Sequence, residues 1–272
     1  GLFNSRIKAD AMKALERSVD KPVLTCVRSE ELGRGSARSP ERLWEAVDPR
    51  LRLLRVHPFR KGPYGLLKQP DDAGPLPAVS LAIARTAADT PYWVLLQAAG
   101  SEPGTGALDN PTPAQIRAQM HLALAHGAKG ILFYSLQRDP TLPIGLVDPV
   151  SLKATDGKLA AAGRVAALIE KHARLLRSLV PGGPLVRCDN RAVEVVCAES
   201  GGRPYVYVVN QNTEEAVACR LEWPPGAEAS RVRDVYTGGR VDVKAGEQGG
   251  VAPLKLAPGE GKLFAVATEA TE

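Results

Sequence analysis

The chain has 272 residues, 44% hydrophobic and 24% charged, with 35 basic against 30 acidic side chains for a formal charge of +5. That is an ordinary globular composition, long enough for one large domain or two modest ones. No apolar run reaches the length of a membrane helix, and the basic excess is spread out without a Lys/Arg block or interleaved aromatics, so neither a membrane span nor a nucleic-acid interface is indicated.

Gly1 is not followed by the basic segment and apolar core of a secretory leader. Residues 1–20 read instead as a loop entering a helix over about 5–18, capped by Asn4 or Ser5, with Ile7, Ala11 and Leu15 on one face. The expectation is that a leader has been removed or that the chain is a piece of something longer. A strand follows at Pro22–Arg28, and a short helix begins near Ser39-Pro40-Glu41, where proline suits the first helical position. Leu51–Phe59 reads as a second strand, 76–88 as a helix and Tyr92–Ala99 as a third strand. Thr112, Pro113 and Gln115 then combine an N-cap, proline at N1 and glutamine at N3, a capping box whose helix runs to the C′ glycine Gly127. Gly130–Leu136 is a fourth strand, and a long helix spans 157–179 before Pro181-Gly182-Gly183.

Strands alternating with helices predict parallel βαβ units, and continuous apolar strands predict a sheet covered on both faces. A full eight-unit barrel takes about 250 residues. Residues 1–181 supply four units, so they form either half a barrel or a small open α/β sheet. Beyond Pro181 the texture changes. Ala192–Glu199, Arg203–Gln211, Val217–Trp223, Ser230–Gly239 and Gly261–Thr268 are short runs of alternating polarity separated by Gly- and Pro-rich turns. Residues 182–272 therefore read as an antiparallel β-sandwich. Cys26, Cys188, Cys197 and Cys219 form no CxxC and no zinc spacing. The last three are either small buried thiols or contain one disulfide pair. No metal or cofactor signature is present.

In a parallel barrel, function gathers at the carboxyl ends of the strands. Those tips hold Arg28 and Glu30, then His57, Arg60 and Tyr64, then Gln97 and Glu102, then Tyr134, Ser135, Gln137 and Asp139. Planar hydrogen-bonding groups beside aromatic rings suit a sugar. Two readings stay open for His57: a loop histidine bonded to backbone, or a ligand contact. Two stay open for Glu102 as well: a solvated loop carboxylate, or a nucleophile displaced into a Gly-rich loop. The strand end itself carries Gln97, whose amide can donate and accept hydrogen bonds but can neither attack an anomeric carbon nor shuttle a proton at neutral pH. Trp44 and Trp93 serve as core or as a stacking platform, and Tyr205, Tyr207 and Trp223 either line the sandwich core or offer an aromatic face.

The stretches "KPVLTCVRSE", "LRLLRVHPFRKGPYG", "PYWVLLQAAG" and "PTPAQIRAQMHLALAHGAKGILFYSLQ", followed by a sandwich, resemble the second half of a bacterial TIM-barrel glycoside hydrolase. The closest likeness is to β-galactosidase-like proteins of the clan with catalytic carboxylates on strands four and seven. The last of these stretches is the most specific, and Asp48 with His57-Pro58 takes the place of the family's strand-six "D…YP". The resemblance covers about residues 7–180, and the sandwich only as a type. It implies that the four strands are barrel strands five to eight and that the acid/base lies before Gly1. It implies also that the nucleophile maps to Gln97 or just beyond, making Glu102 the catalytic candidate and Asp109 a poorer stand-in. Retaining hydrolysis needs two carboxylates about 5–5.5 Å apart, and this chain offers at most one. The substrate-binding set is then Arg28, His57, Arg60, Tyr64, Gln97, Tyr134 and Gln137. The implied partners are a carbohydrate and the missing barrel half or a second copy of the chain, and the implied location is secreted or periplasmic. Gln97 in place of glutamate keeps a second function open, a non-catalytic glycan-binding or structural protein on the same fold. A stand-alone α/β domain plus sandwich with a partner-binding role is a third.

Overall fold

The computed structural model describes residues 24–28, 51–56, 76, 91–101, 109–134, 144–148, 151, 153–154, 156–183, 185–225, 231–246 and 249–267. The helices expected at 5–18 and near 39–41 lie outside these residues, and of the helix expected at 76–88 only Leu76, helical and buried, is described. The chain divides into two compact units, 1–111 with 128–153, and 112–127 with 154–272.

Among the described residues the first unit contains four strands, β1 (Leu24–Arg28), β2 (Leu51–Val56), β3 (Tyr92–Gln97) and β4 (Gly130–Tyr134). Every pairing is parallel, and the spatial order β1-β2-β3-β4 is the chain order. Parallel neighbours require a crossover between them, which is what the alternating sequence predicts. β3 explains the continuous apolar run: Tyr92, Val94 and Leu96 are buried from one side, while Trp93 and Leu95 are half-buried on the other. Gly130 is needed where it stands. It is the register partner of Trp93, and a Cβ there would lie 2.7 Å from the indole ring.

The second unit begins with α1 (Pro113–Ala125). Its capping box is formed as the sequence predicts: the Gln115 amide N–H donates to Thr112 Oγ1 at 3.2 Å, and the Thr112 N–H donates to Gln115 Oε1 at 2.8 Å. The helix stops at Gly127, which has φ +83° and donates its N–H to the Leu124 carbonyl. α2 (Lys158–Ser178) follows Gly157 in the left-handed region and kinks at His172 (φ −114°, ψ 18°). Both helices group with the antiparallel strands rather than with the parallel sheet.

Those strands are β5 (Val180–Pro181), β6 (Arg187–Cys188), β7 (Val193–Ser200), β8 (Arg203–Asn210), β9 (Val217–Glu222), β10 (Arg231–Asp234), β11 (Arg240–Asp242), β12 (Lys244–Gly246), β13 (Gly249–Leu256) and β14 (Gly261–Ala267). One sheet has the order β11-β10-β14-β8-β7-β5, the other β12-β13-β9-β6, and all pairings are antiparallel. Val206, Val208, Val232 and Phe264 of the first sheet share a core with Leu221, Leu254 and Leu256 of the second, and with Trp223. β9 shows the inward and outward alternation read from the sequence, whereas Val206–Asn210 of β8 are buried throughout, with Tyr207 facing His121 of α1. β13 escapes a reading by alternation because it contains Pro253. The proline is tolerated because β12 pairs only with Gly249–Val251, so Pro253 has β9 on one side and no β12 residue on the other.

α1 joins this unit through polar as well as apolar contacts. Arg117 Nη2 donates to the Pro258 carbonyl at 2.6 Å. His121 Nδ1 lies 2.9 Å from Tyr207 Oη, which lies 2.8 Å from Tyr236 Oη. Gly261 leaves room for the His121 ring, since a Cβ there would come within 2.3 Å of it. Burial, with the Arg117 charge adding to it, pushes the His121 imidazole down to about 3, so it is neutral in the fold.

Candidate functional site

Because the sheet is parallel, the carboxyl ends of its four described strands lie along one edge. The register is Arg28 opposite Arg55, Arg55 opposite Leu95, and Gln97 opposite Tyr134. Side chains alternate along a strand, so positions 28, 55, 97 and 134 share one face. Arg55 is a position that reading the tips alone passed over: it stands one residue before the strand's end, and only the pairing register brings it level with Arg28. Among the predicted site residues, Arg28, Gln97 and Tyr134 are thus placed on one sheet edge. His57, Arg60, Tyr64, Glu102 and Gln137 lie outside the described residues.

Gln97 is the best-defined member. Its side chain is fully buried. Its Nε2 donates to the Asp109 carbonyl at 2.8 Å and to the Ala99 carbonyl at 3.2 Å. Both acceptors are main-chain oxygens, that of Ala99 buried and that of Asp109 partly so, where an unpaired polar group is costly. A glutamine fits because a carboxylate has no donor to offer these oxygens.

The backbone beyond Gln97 is pinned on several sides. Ala98 and Ala99 both donate their N–H groups to the Tyr134 carbonyl, at 2.7 and 2.9 Å, and the Tyr134 ring packs against Ala99. Gly100 exchanges both hydrogen bonds with Ile144, at 3.0 and 3.1 Å. A Cβ on Gly100 would come within 2.4 Å of the Asn110 backbone, so only glycine lets these segments close together. Ser101 is buried and bridges Asp109. Asp109 serves this site through its main-chain carbonyl, which receives the Gln97 amide.

No protein-family model matches the chain, and no curated protein sequence matches it. Solved structures do. A noncanonic maltogenic α-amylase, AmyB from Thermotoga neapolitana, matches with TM-score 0.51 and 13% identity over 98% of this chain and 59% of its own. AmyP, solved in complex with maltose, matches with TM-score 0.50 and 11% identity over 97% of this chain and 61% of its own. A β-galactosidase from Marinomonas ef1 gives TM-score 0.47 and 17% identity over 66% of this chain and 29% of its own. The chain spans about three-fifths of the length of AmyB and of AmyP, each of which it matches over nearly all of its own residues. At these identities the likeness is one of fold alone, shared with AmyB and AmyP.

Proposed function

We propose that this chain is a carbohydrate-active, glycoside hydrolase-like protein in which β1–β4 are barrel strands five to eight, followed by a β-sandwich, with the N-terminal barrel half and its acid/base outside the chain. Four consecutive parallel strands leading into antiparallel sheets carry the reading, with support from the likeness to the maltogenic α-amylase AmyB and to the maltose-bound AmyP over 97–98% of the chain. In the proposed plan residues 1–181 belong to the barrel and 182–272 to the sandwich. Arg28, His57, Arg60, Tyr64, Tyr134 and Gln137 would contact the sugar from the strand tips, with Gln97 beneath them shaping the loop from which Glu102 would act as nucleophile.

Gln97 favours a second reading, a non-catalytic glycan-binding or structural protein on the same fold. The amide stands where a strand-seven glutamate belongs, and it is committed to two main-chain carbonyls. A panel of aryl glycosides assayed with the natural gene product and with Glu102→Gln separates the two. Turnover lost in the variant supports the hydrolase. Saturable sugar binding without turnover assigns the binding role. Neither binding nor turnover across the panel overturns both.

A further inference from the structure

The sandwich carries three of the four cysteines, and all three are free thiols. Cys219 is buried in the core shared by the two sheets, and Cys188 and Cys197 pack against that core. β6 and β9 pair with Cys188 opposite Leu221, so Cys188 and Cys219 lie on one face of the sheet, diagonally across the strand pair. The two thiols are near enough for each to affect the other's ionisation.

Such diagonal positions are ordinarily somewhat farther apart than a disulfide requires. Here the segment that would have to shift is a short edge strand, and closing the bond would have to accommodate the hydrogen bonds between Asp189 and Arg220 that hold its end against β9. β6 is two residues long, has β9 on one side only, and ends in a turn at Asn190. Cys197 is placed differently. It stands on β7, in the opposite sheet, with its Sγ accepting the Val186 N–H at 3.4 Å.

We propose that Cys188 and Cys219 are a redox-active dithiol pair that closes to an intramolecular disulfide, stapling edge strand β6 to β9. Cys188 is the attacking member. The neighbouring Cys219 thiol and the Asn190 N–H, 3.5 Å from the Cys188 sulfur, favour the thiolate and outweigh burial and the nearby carboxylates of Asp189 and Glu222, drawing the thiol down to about 7. The same contact and burial push the Cys219 thiol well up, so Cys219 remains the proton-bearing partner. With a low-molecular-weight disulfide such as oxidised glutathione, the Cys188 thiolate attacks one sulfur, the S–S bond breaks and one glutathione thiolate leaves. Cys219 then loses its proton and displaces the second glutathione from the mixed disulfide. Two protein thiols are oxidised, one glutathione disulfide is reduced to two thiols, and the two protons end on those thiols.

The test is equilibration of the full, folded chain with oxidised glutathione, acid quenching, alkylation of remaining thiols under denaturing conditions, and digestion with trypsin and a glutamate-specific protease. Two of the four thiols should be lost. Fragment 188–191 should appear joined to fragment 216–220, two hydrogens lighter than their sum, with Cys197 recovered alkylated in 195–199. A bond that includes Cys197 or Cys26, a link between two chains, or full alkylation of Cys188 and Cys219 after oxidation would overturn the proposal.

Discussion

Replacing Gln97 by glutamate tests whether this strand tip is built for a carboxylate or for an amide. The amide is fully buried and donates to two main-chain carbonyls, at 2.8 and 3.2 Å. A protonated glutamic acid has one O–H and restores one of these bonds, so at low pH the cost is that of one unsatisfied buried acceptor, about 1–3 kcal/mol. An ionised carboxylate faces two carbonyl oxygens with nothing to donate, so its folded-state pKa is raised above the unfolded value near 4.3. A raised acid binds its proton more tightly in the fold. Stability is therefore lost as pH rises, by about 1.4 kcal/mol per unit from roughly pH 4.3 up to the folded pKa. If that pKa reaches about 7–8, as buried glutamates do, the added cost approaches 4–5 kcal/mol, a large share of the ~5–15 kcal/mol that keeps a domain folded. Urea unfolding of the parent, Gln97→Glu and Gln97→Met between pH 4.5 and 8 reads this directly. The methionine variant should carry a constant penalty, because it loses the donors without adding a titrating group. A glutamate variant as stable as the parent, or with a penalty that does not change with pH, would refute the reasoning and show that the strand tip accepts the family's expected nucleophile.

Tyr207→Phe removes the hydroxyl that joins His121 Nδ1 to Tyr236 Oη in a buried chain. It should cost about 1–3 kcal/mol by urea unfolding, and a change under about 0.5 would mean the chain has relaxed around the loss. His121 is neutral in the fold, depressed to about 3 chiefly by burial. It therefore contributes stability above its unfolded pKa of about 6.5 that is lost as pH falls toward 3, by up to about 5 kcal/mol. His121→Gln should flatten this part of the stability profile, and an unchanged slope would place the proton uptake elsewhere. Closing the Cys188–Cys219 disulfide constrains a loop of roughly 30 residues, worth about 3–4 kcal/mol on chain entropy alone. Thermal unfolding of the sandwich should shift upward on oxidation and return on reduction with a phosphine, whereas an unchanged or lower midpoint would mean that moving β6 costs as much as the staple contributes.

Local chemistry determined much of this protein in advance. Thr112, Pro113 and Gln115 specify where α1 starts and Gly127 where it stops, because caps and C′ glycines act within one turn. The apolar run of β3 and the alternation of β9 are likewise readable, since strand side chains have a period of two, whereas the continuous burial of Val206–Asn210 in β8 needs the packing of α1 on its second face. Other features depend on segments far apart in sequence. Pro253 hides β13 until the pairing shows that β12 ends before it. The two helices look in sequence like crossovers of a parallel sheet, yet they group with the antiparallel strands, through contacts such as Arg117 to Pro258 that no local pattern encodes. Gln97 can be read as an anomaly at a strand tip, but its role depends on the Asp109 carbonyl twelve residues away. Arg28 and Arg55, and Cys188 and Cys219, become neighbours only when strands set their register. Helix caps and strand periodicity are decided within a few residues of backbone. Register, layer assignment and the company a buried polar group keeps are decided by which distant surfaces exclude water together, and that choice belongs to the tertiary fold.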